Sequence, residues 1–250
     1  GGLLLDLVGA PLLFLLDGIS FLVYVASLVL LRLPREEGAT ARGKGGLLAE
    51  WLAGFRLVFR SRMLRRVLLA TVVANFALAP TDLLLTAWVK GPLGGSGSLL
   101  GVIYAGFFAG MVAGGLLLGR LSARWSTRSL IAAGVTFAGL AFAAVGAWPN
   151  AAWDVAAIVA TGLAASVATG ASTAWFLGTV PQGMLGRTIG IAGALNTATV
   201  PLGVAVAGAL MIALPLTLLW PVLGALTLLA GLTLAAPVED DLASAVSSGA

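Results

Sequence analysis

The chain has 250 residues, 60% hydrophobic and 10% charged, with no Cys and no His. That composition excludes a soluble domain, a disulfide framework, a thiolate or imidazole metal site and Ser-His-Asp catalysis. The net charge of +4 sits in a few short polar stretches, as topology signals do, and does not form the broad basic surface of a nucleic-acid binder.

The opening GGLLLDLVG is too short to span a bilayer and lacks a basic leader, so it is not a signal peptide. It reads as the last turns of an earlier helix, and the chain as a fragment. The first span runs from Leu12 to Leu31. A polar linker follows, PREEGATARGKGG at 34–46. Gly38 to Gly45 falls one residue short of a phosphate-binding G-x-x-x-x-G-K-[ST] loop, lacking the hydroxyl and a preceding strand, so a basic linker is the better reading. In Leu47–Met63, Leu48, Trp51, Leu52, Phe55 and Phe59 recur at helical spacing with Glu50, Arg56 and Arg60 on other faces. This predicts an amphipathic helix on the membrane surface, with a regulatory partner site as the alternative.

Six more spans follow: Val67–Val89, Leu99–Leu118, Ser129–Trp148, Trp153–Val180, Ile189–Leu214 and Leu216–Ala236. Each is near or above the ~20 residues that cross a bilayer. In the third span Gly106, Gly110 and Gly114 repeat every four residues, as do Gly115 and Gly119. That spacing cuts a groove in which a second helix can approach closely. Of fourteen Lys and Arg, thirteen fall between spans one and two, three and four, or five and six, while Lys90 stands on the other side. The asymmetry places Gly1 outside and Ala250 in the cytoplasm. Trp88, Trp148, Trp153 and Trp220 then form an outer aromatic belt, Trp175 lies nearer the inner interface, and Asp154 and Lys90 are expected to be solvated at the outer one.

Polar side chains in lipid tend to face a cavity or a neighbouring helix. Thr71, Asn75, Asp82 and Thr86 fall within about 60° of one another on a continuous α-helix. Ser166, Thr169 and Thr173 form a second narrow face, and Asn196, Thr197 and Thr199 cluster just before Pro201, which is expected to loosen the helix. Each group has a structural alternative: hydroxyls bond the carbonyl one turn back, and Asn bridges helices. Asp17, in the first span, reads as a structural bond to a neighbour. Asp82 lies about 24 Å along the helix from Arg66. Pro80 is expected to open the helix beside it, so that Asp82 lines an outer cavity and contributes to cation or proton recognition. The alternative is a carboxylate snorkelling to the interface.

The stretch GRLSARWSTR, Gly119 to Arg128, resembles a decayed copy of the loop motif G-x-L-x-D-R-x-G-R-R of the major facilitator superfamily. Gly119, Leu121, Arg124 and Arg128 fit, and Arg120 adds a charge; the motif's Asp, second Gly and first terminal Arg are Ala123, Ser126 and Thr127. In that family the weaker copy lies between helices 8 and 9, so the resemblance implies the C-terminal half. One span, a long basic connection and six spans then correspond to helix 6, the central loop and helices 7 to 12. FLLDGISF at 14–21, the stretch from Phe55-Arg56 to Leu64-Arg65, and the stretch from Val180-Pro181 to Arg187 and Gly190 resemble the macrolide-efflux and siderophore-export branch.

The resemblance implies an all-α, polytopic transmembrane bundle of seven spans. Residues 1–33 carry the end of helix 5 and helix 6, 34–65 a cytoplasmic linker with its surface helix, 66–237 the six-helix transport domain and 238–250 a cytoplasmic tail. Two three-helix repeats of opposite topology, 67–148 and 153–236, are expected within it. It also implies a cavity that Tyr104 joins, and a gating latch at Gly119, Arg120, Arg124 and Arg128 weakened by the loss of the acidic partner at Ala123. The implied function is non-enzymatic, cofactor-free, proton-coupled antiport at the plasma membrane, exporting small amphipathic molecules by alternating access. Its partners are the bilayer, the substrate, H+ and an N-terminal half; no metal or nucleic acid is involved. Import of a sugar or metabolite, and a membrane scaffold without transport, are the alternatives.

Overall fold

Apolar runs with Gly and Pro at intervals leave helices as the only way to satisfy every backbone amide in lipid, and helices are what form. The computed structural model describes residues 2–31, 61–180 and 182–235. The linker, the expected surface helix before Ser61, and the tail from 236 lie outside the described residues. The chain divides into two compact units, Gly1–Gly46 and Leu47–Ala250.

In the first unit, helix α1 (Gly2–Leu30) is interrupted at Gly9, whose φ of 73° and ψ of 160° are a conformation open to little but glycine. Pro11 follows, and Pro11–Leu30 is long and apolar enough to cross a membrane. Ser20 and Ser27 donate to the carbonyls of Asp17 and Tyr24, one turn back.

In the second unit, α2 (Arg62–Leu78) and α3 (Thr81–Lys90) together make one span broken at Ala79–Pro80. Then come α4 (Gly97–Ser122), α5 (Thr127–Val145), α6 (Ala151–Thr179), α7 (Gln182–Ala213) and α8 (Leu216–Ala235). The caps are local chemistry. Ser61 and Ser126 accept from amides three residues on, and Asn150 Oδ1 accepts from Ala152 and Trp153. The 180–187 connection is shorter than expected, because α7 is already helical at Gln182.

The glycine groove is where the packing is closest. A Cβ on Gly110 would lie 2.1 Å from the Val159 carbonyl oxygen, and one on Gly114 would lie 2.3 Å from that of Leu163. Gly162 of α6 returns the contact, since its Cβ would meet the Phe107 carbonyl at 2.2 Å. Gly119, expected to extend the groove, faces open space. On other faces of α4, Val112 and Leu116 are exposed, as lipid-facing side chains are.

The main helix pairs are α4 with α6, α5 with α8, α5 with α6, α2 with α8 and α2 with α7. Exchanging the span α2/α3 for α6, α4 for α7 and α5 for α8 maps this set onto itself. The two three-span repeats thus pack in one pattern.

Two aromatic placements differ from the expected belt. Trp88 and Trp220 are fully buried in the bundle, with ring centroids 6.2 Å apart, and Phe142 lies edge-on to Trp220 at 5.0 Å. Trp148 and Trp153 remain exposed. Belt and core tryptophans read alike in sequence, because only the packing decides which face of a helix meets lipid.

Candidate functional site

Pro80 shapes the site. A continuous helix would bond the amide of residue 80 to the Phe76 carbonyl; proline has no such amide, so the ladder stops. The Thr81 hydroxyl takes the Leu78 carbonyl, and Leu84 restarts the ladder by donating to Pro80. Gly203 of α7 packs on the interrupted turn, close enough that a Cβ there would sit 2.3 Å from the Phe76 oxygen. Pro201, expected to loosen α7, leaves it unbroken, and Thr199, two residues before it, donates to the carbonyls of Leu195 and Asn196.

The break divides the expected four-residue stripe. Thr71 and Asn75 stay on α2 and line a cavity of about 360 Å³. Thr169, Ser172 and Thr173 of α6 line it too, with Asn196 of α7 and Thr227 of α8. Asn75 Nδ2 donates to Asn196 Oδ1 at 3.1 Å and to the Thr71 carbonyl at 2.9 Å. The first bond crosses from the first span of one repeat to the second span of the other. Thr71, Thr173 and Thr227 donate their hydroxyls to carbonyls one turn back on their own helices. Ser172 is buried and its hydroxyl has no partner. Among the described residues no charged side chain lines this cavity.

Asp82, on α3, lies instead in a second cavity of about 250 Å³ with Tyr104, Phe107 and Phe108 of α4. The Tyr104 hydroxyl donates to Asp82 Oδ1 at 2.7 Å. Leu78 and Ala165 line both cavities, so the two adjoin across them. Among the described residues no three His, Cys, Asp or Glu side chains gather as a metal site would require.

Thus Thr71, Asn75, Thr169, Thr173 and Asn196 come together in one cavity, and Asp82 and Tyr104 in the next. Thr86 lines neither, and Ser166 faces α4, its Oγ 3.7 Å from where a Cβ of Gly115 would be. Ser172 was not expected. It lies three residues after Thr169, one turn along the same face, and that spacing was the signal available. Asp154 also differs from expectation: it is fully buried, and Oδ2 accepts from the Trp88 indole at 2.9 Å while Oδ1 has no partner. Its donor lies 66 residues earlier, beyond the reach of local sequence patterns.

The fold is helical, its apolar spans surround a polar cavity, and the Major Facilitator Superfamily model matches residues 67–248. The chain belongs to the major facilitator superfamily. It is therefore of a transporter family, built as a multi-pass membrane protein with seven spanning helices among the described residues. No curated protein and no solved structure matches the chain. The superfamily loop motif is mostly helical here. Gly119 and Arg120 close α4, Arg124 is exposed in the turn, and Arg128 opens α5. Arg128 Nε donates to the Leu234 carbonyl at 3.1 Å, satisfying the open C-terminal end of α8. This contact within the six-span unit stands beside the expected latch role.

Proposed function

We propose that this superfamily member is a secondary active exporter of small amphipathic molecules, working by alternating access and driven by protons across the plasma membrane. The observation that carries the reading is the Asn75–Asn196 bond at the 360 Å³ cavity. It joins spans of both repeats at a polar site between apolar helices, where a substrate bound at their interface would find both amides. Amides and hydroxyls around apolar walls suit a ligand with carbonyl or hydroxyl groups on a hydrocarbon body. Asn75, Thr169 and Thr173 are exposed in this unit, and we assign their cover to an N-terminal half like the one the superfamily places opposite. The C-terminal half, helices 7 to 12, and the macrolide and siderophore branch belong to the same proposal. So do a cytoplasmic C-terminus and a gating role for Arg120, Arg124 and Arg128.

The test uses everted membrane vesicles containing the transporter that carries this chain, with erythromycin and Hoechst 33342 as probes. Uptake is expected when a proton gradient is imposed and to vanish with a protonophore. Asn75→Ala and Asn196→Ala are each expected to reduce uptake about tenfold at unchanged membrane level, the loss of roughly one good polar contact. Uptake indifferent to the protonophore and to both substitutions overturns the reading.

A further inference from the structure

The 250 Å³ cavity has a chemistry that its larger neighbour lacks. We propose that it is an ammonium subsite, in which the Asp82 carboxylate and the rings of Tyr104, Phe107 and Phe108 hold the cationic group of an organic amine. The inference deepens the transport reading, because the amine is then one end of the exported molecule.

Three observations carry it. First, among the described residues Asp82 is the one charged side chain lining the cavity. Its hydrogen bond from Tyr104 fixes the carboxylate through Oδ1 and leaves its charge uncompensated. Second, three aromatic residues of α4 lie beside that charge, and Phe107 and Phe108 stand edge to face with centroids 5.7 Å apart. Ring faces near a carboxylate attract a weakly hydrated organic cation. Third, the other polar side chains are two threonines whose hydroxyls are engaged: Thr81 bonds the Leu78 carbonyl, and Thr161 the Ala157 carbonyl at 2.9 Å. Leu78, Leu85 and Ile158 make the remaining wall apolar. A hard inorganic cation wants about six oxygen ligands, which such a wall does not offer. A methylated or aryl ammonium wants one carboxylate and carbon around it.

The cavity also stands in the right place. Leu78 and Ala165 separate it from the cavity of Asn75 and Asn196. A single ligand can thus set its amine beside Asp82 and its neutral polar groups beside the two asparagines.

The test measures binding, apart from transport, with the full chain in lipid nanodiscs. Tritiated phenyltrimethylammonium is the probe, and tert-butylbenzene, of the same shape without charge, is the competitor. Saturable binding is expected, with tert-butylbenzene competing at least about tenfold less well than unlabelled probe. Asp82→Asn is expected to weaken binding at least about tenfold, Asp82→Glu to retain it within about threefold, and Phe107→Leu or Phe108→Leu to weaken it about threefold. The two-probe comparison in the unaltered chain needs no variant to fold. Equal competition by tert-butylbenzene overturns the subsite, and so does unchanged binding in Asp82→Asn. If Asp82-dependent binding is found but nothing moves in vesicles, the subsite stands and the transport reading fails. If vesicle uptake is normal but binding ignores Asp82, the subsite fails and the transport reading stands.

Discussion

Asp154 and Trp88 are the residue pair on which the lower-numbered end of α6 depends. Asp154 sits in the first turn of α6, where the helix dipole favours a carboxylate. Trp88 comes near the end of α3, so the 2.9 Å bond ties the half-span beyond Pro80 to the second repeat. Because both groups are fully buried, removing either leaves the other without its partner. Asp154→Leu alone is expected to lower stability by about 1–3 kcal/mol through the orphaned indole, and Trp88→Phe alone by more, since it strands a carboxylate. The double substitution is expected to cost less than the sum, with a coupling of roughly 1–3 kcal/mol. Thermal unfolding of the four purified proteins, followed by circular dichroism, measures the cycle; strictly additive losses would mean the bond holds nothing. Ser172 works differently. It brings an unpartnered hydroxyl to the larger cavity, so Ser172→Ala is expected to leave folding unchanged and weaken substrate uptake by a few-fold, read in the same vesicles.

Two devices act on whole elements: glycine draws helices together, and proline divides one. The α4–α6 contact leaves no room for a methyl group at Gly110, whereas Gly119 faces open space. Gly110→Ala is therefore expected to force the helices apart at a cost of about 1–3 kcal/mol, while Gly119→Ala is neutral or slightly stabilising. The midpoints of thermal aggregation in detergent compare them, and equal midpoints would refute the groove's role. This groove was legible, because a four-residue glycine repeat in an apolar run has few other uses. So were the seven spans, whereas Asn75 and Asn196 read from sequence only as two separate polar groups facing a cavity or a neighbouring helix, not as partners. The stripe from Asn75 to Asp82 was read with continuous helical geometry, and Pro80 invalidates that geometry in the middle. With about 100° per residue no longer accumulating across Ala79–Pro80, Asp82 turns into its own cavity beside Tyr104. Ser166 and Ser172 flank one face of α6, and which of them meets the cavity depends on how α4 seats in the glycine groove. That is tertiary information. The burial of Trp88, Trp220 and Asp154 is hidden for the same reason.

At the scale of the molecule, the repeat pattern and the charge pattern bear on one question, the direction in which the bundle faces. The connections fall at two ends. One carries the turn at Arg124 and the start of α2 at Arg62; the other carries Lys90 and the caps at Ser96 and Asn150. Among the described residues Arg62, Arg65, Arg66, Arg120, Arg124 and Arg128 belong to the first end, and basic loops are retained in the cytoplasm. The chain has no cysteine, so single cysteines report the facing without a background to remove. Gly97 and Pro149 suit the second end. A Cβ on Gly97 would meet nothing within 4 Å, Pro149 is exposed, and Asn150 is better left alone because it caps α6. The exposed Arg124 serves the first, and Lys44 probes the linker that the sequence assigns to the cytoplasm. In intact cells an impermeant maleimide is expected to label Gly97→Cys and Pro149→Cys, and to reach Lys44→Cys and Arg124→Cys only after the membrane is opened. Substituting one basic residue of thirteen leaves the charge bias in place, so the variants report the native orientation. Labelling of Lys44→Cys in sealed cells would invert the assignment, and with it the side from which both cavities are loaded.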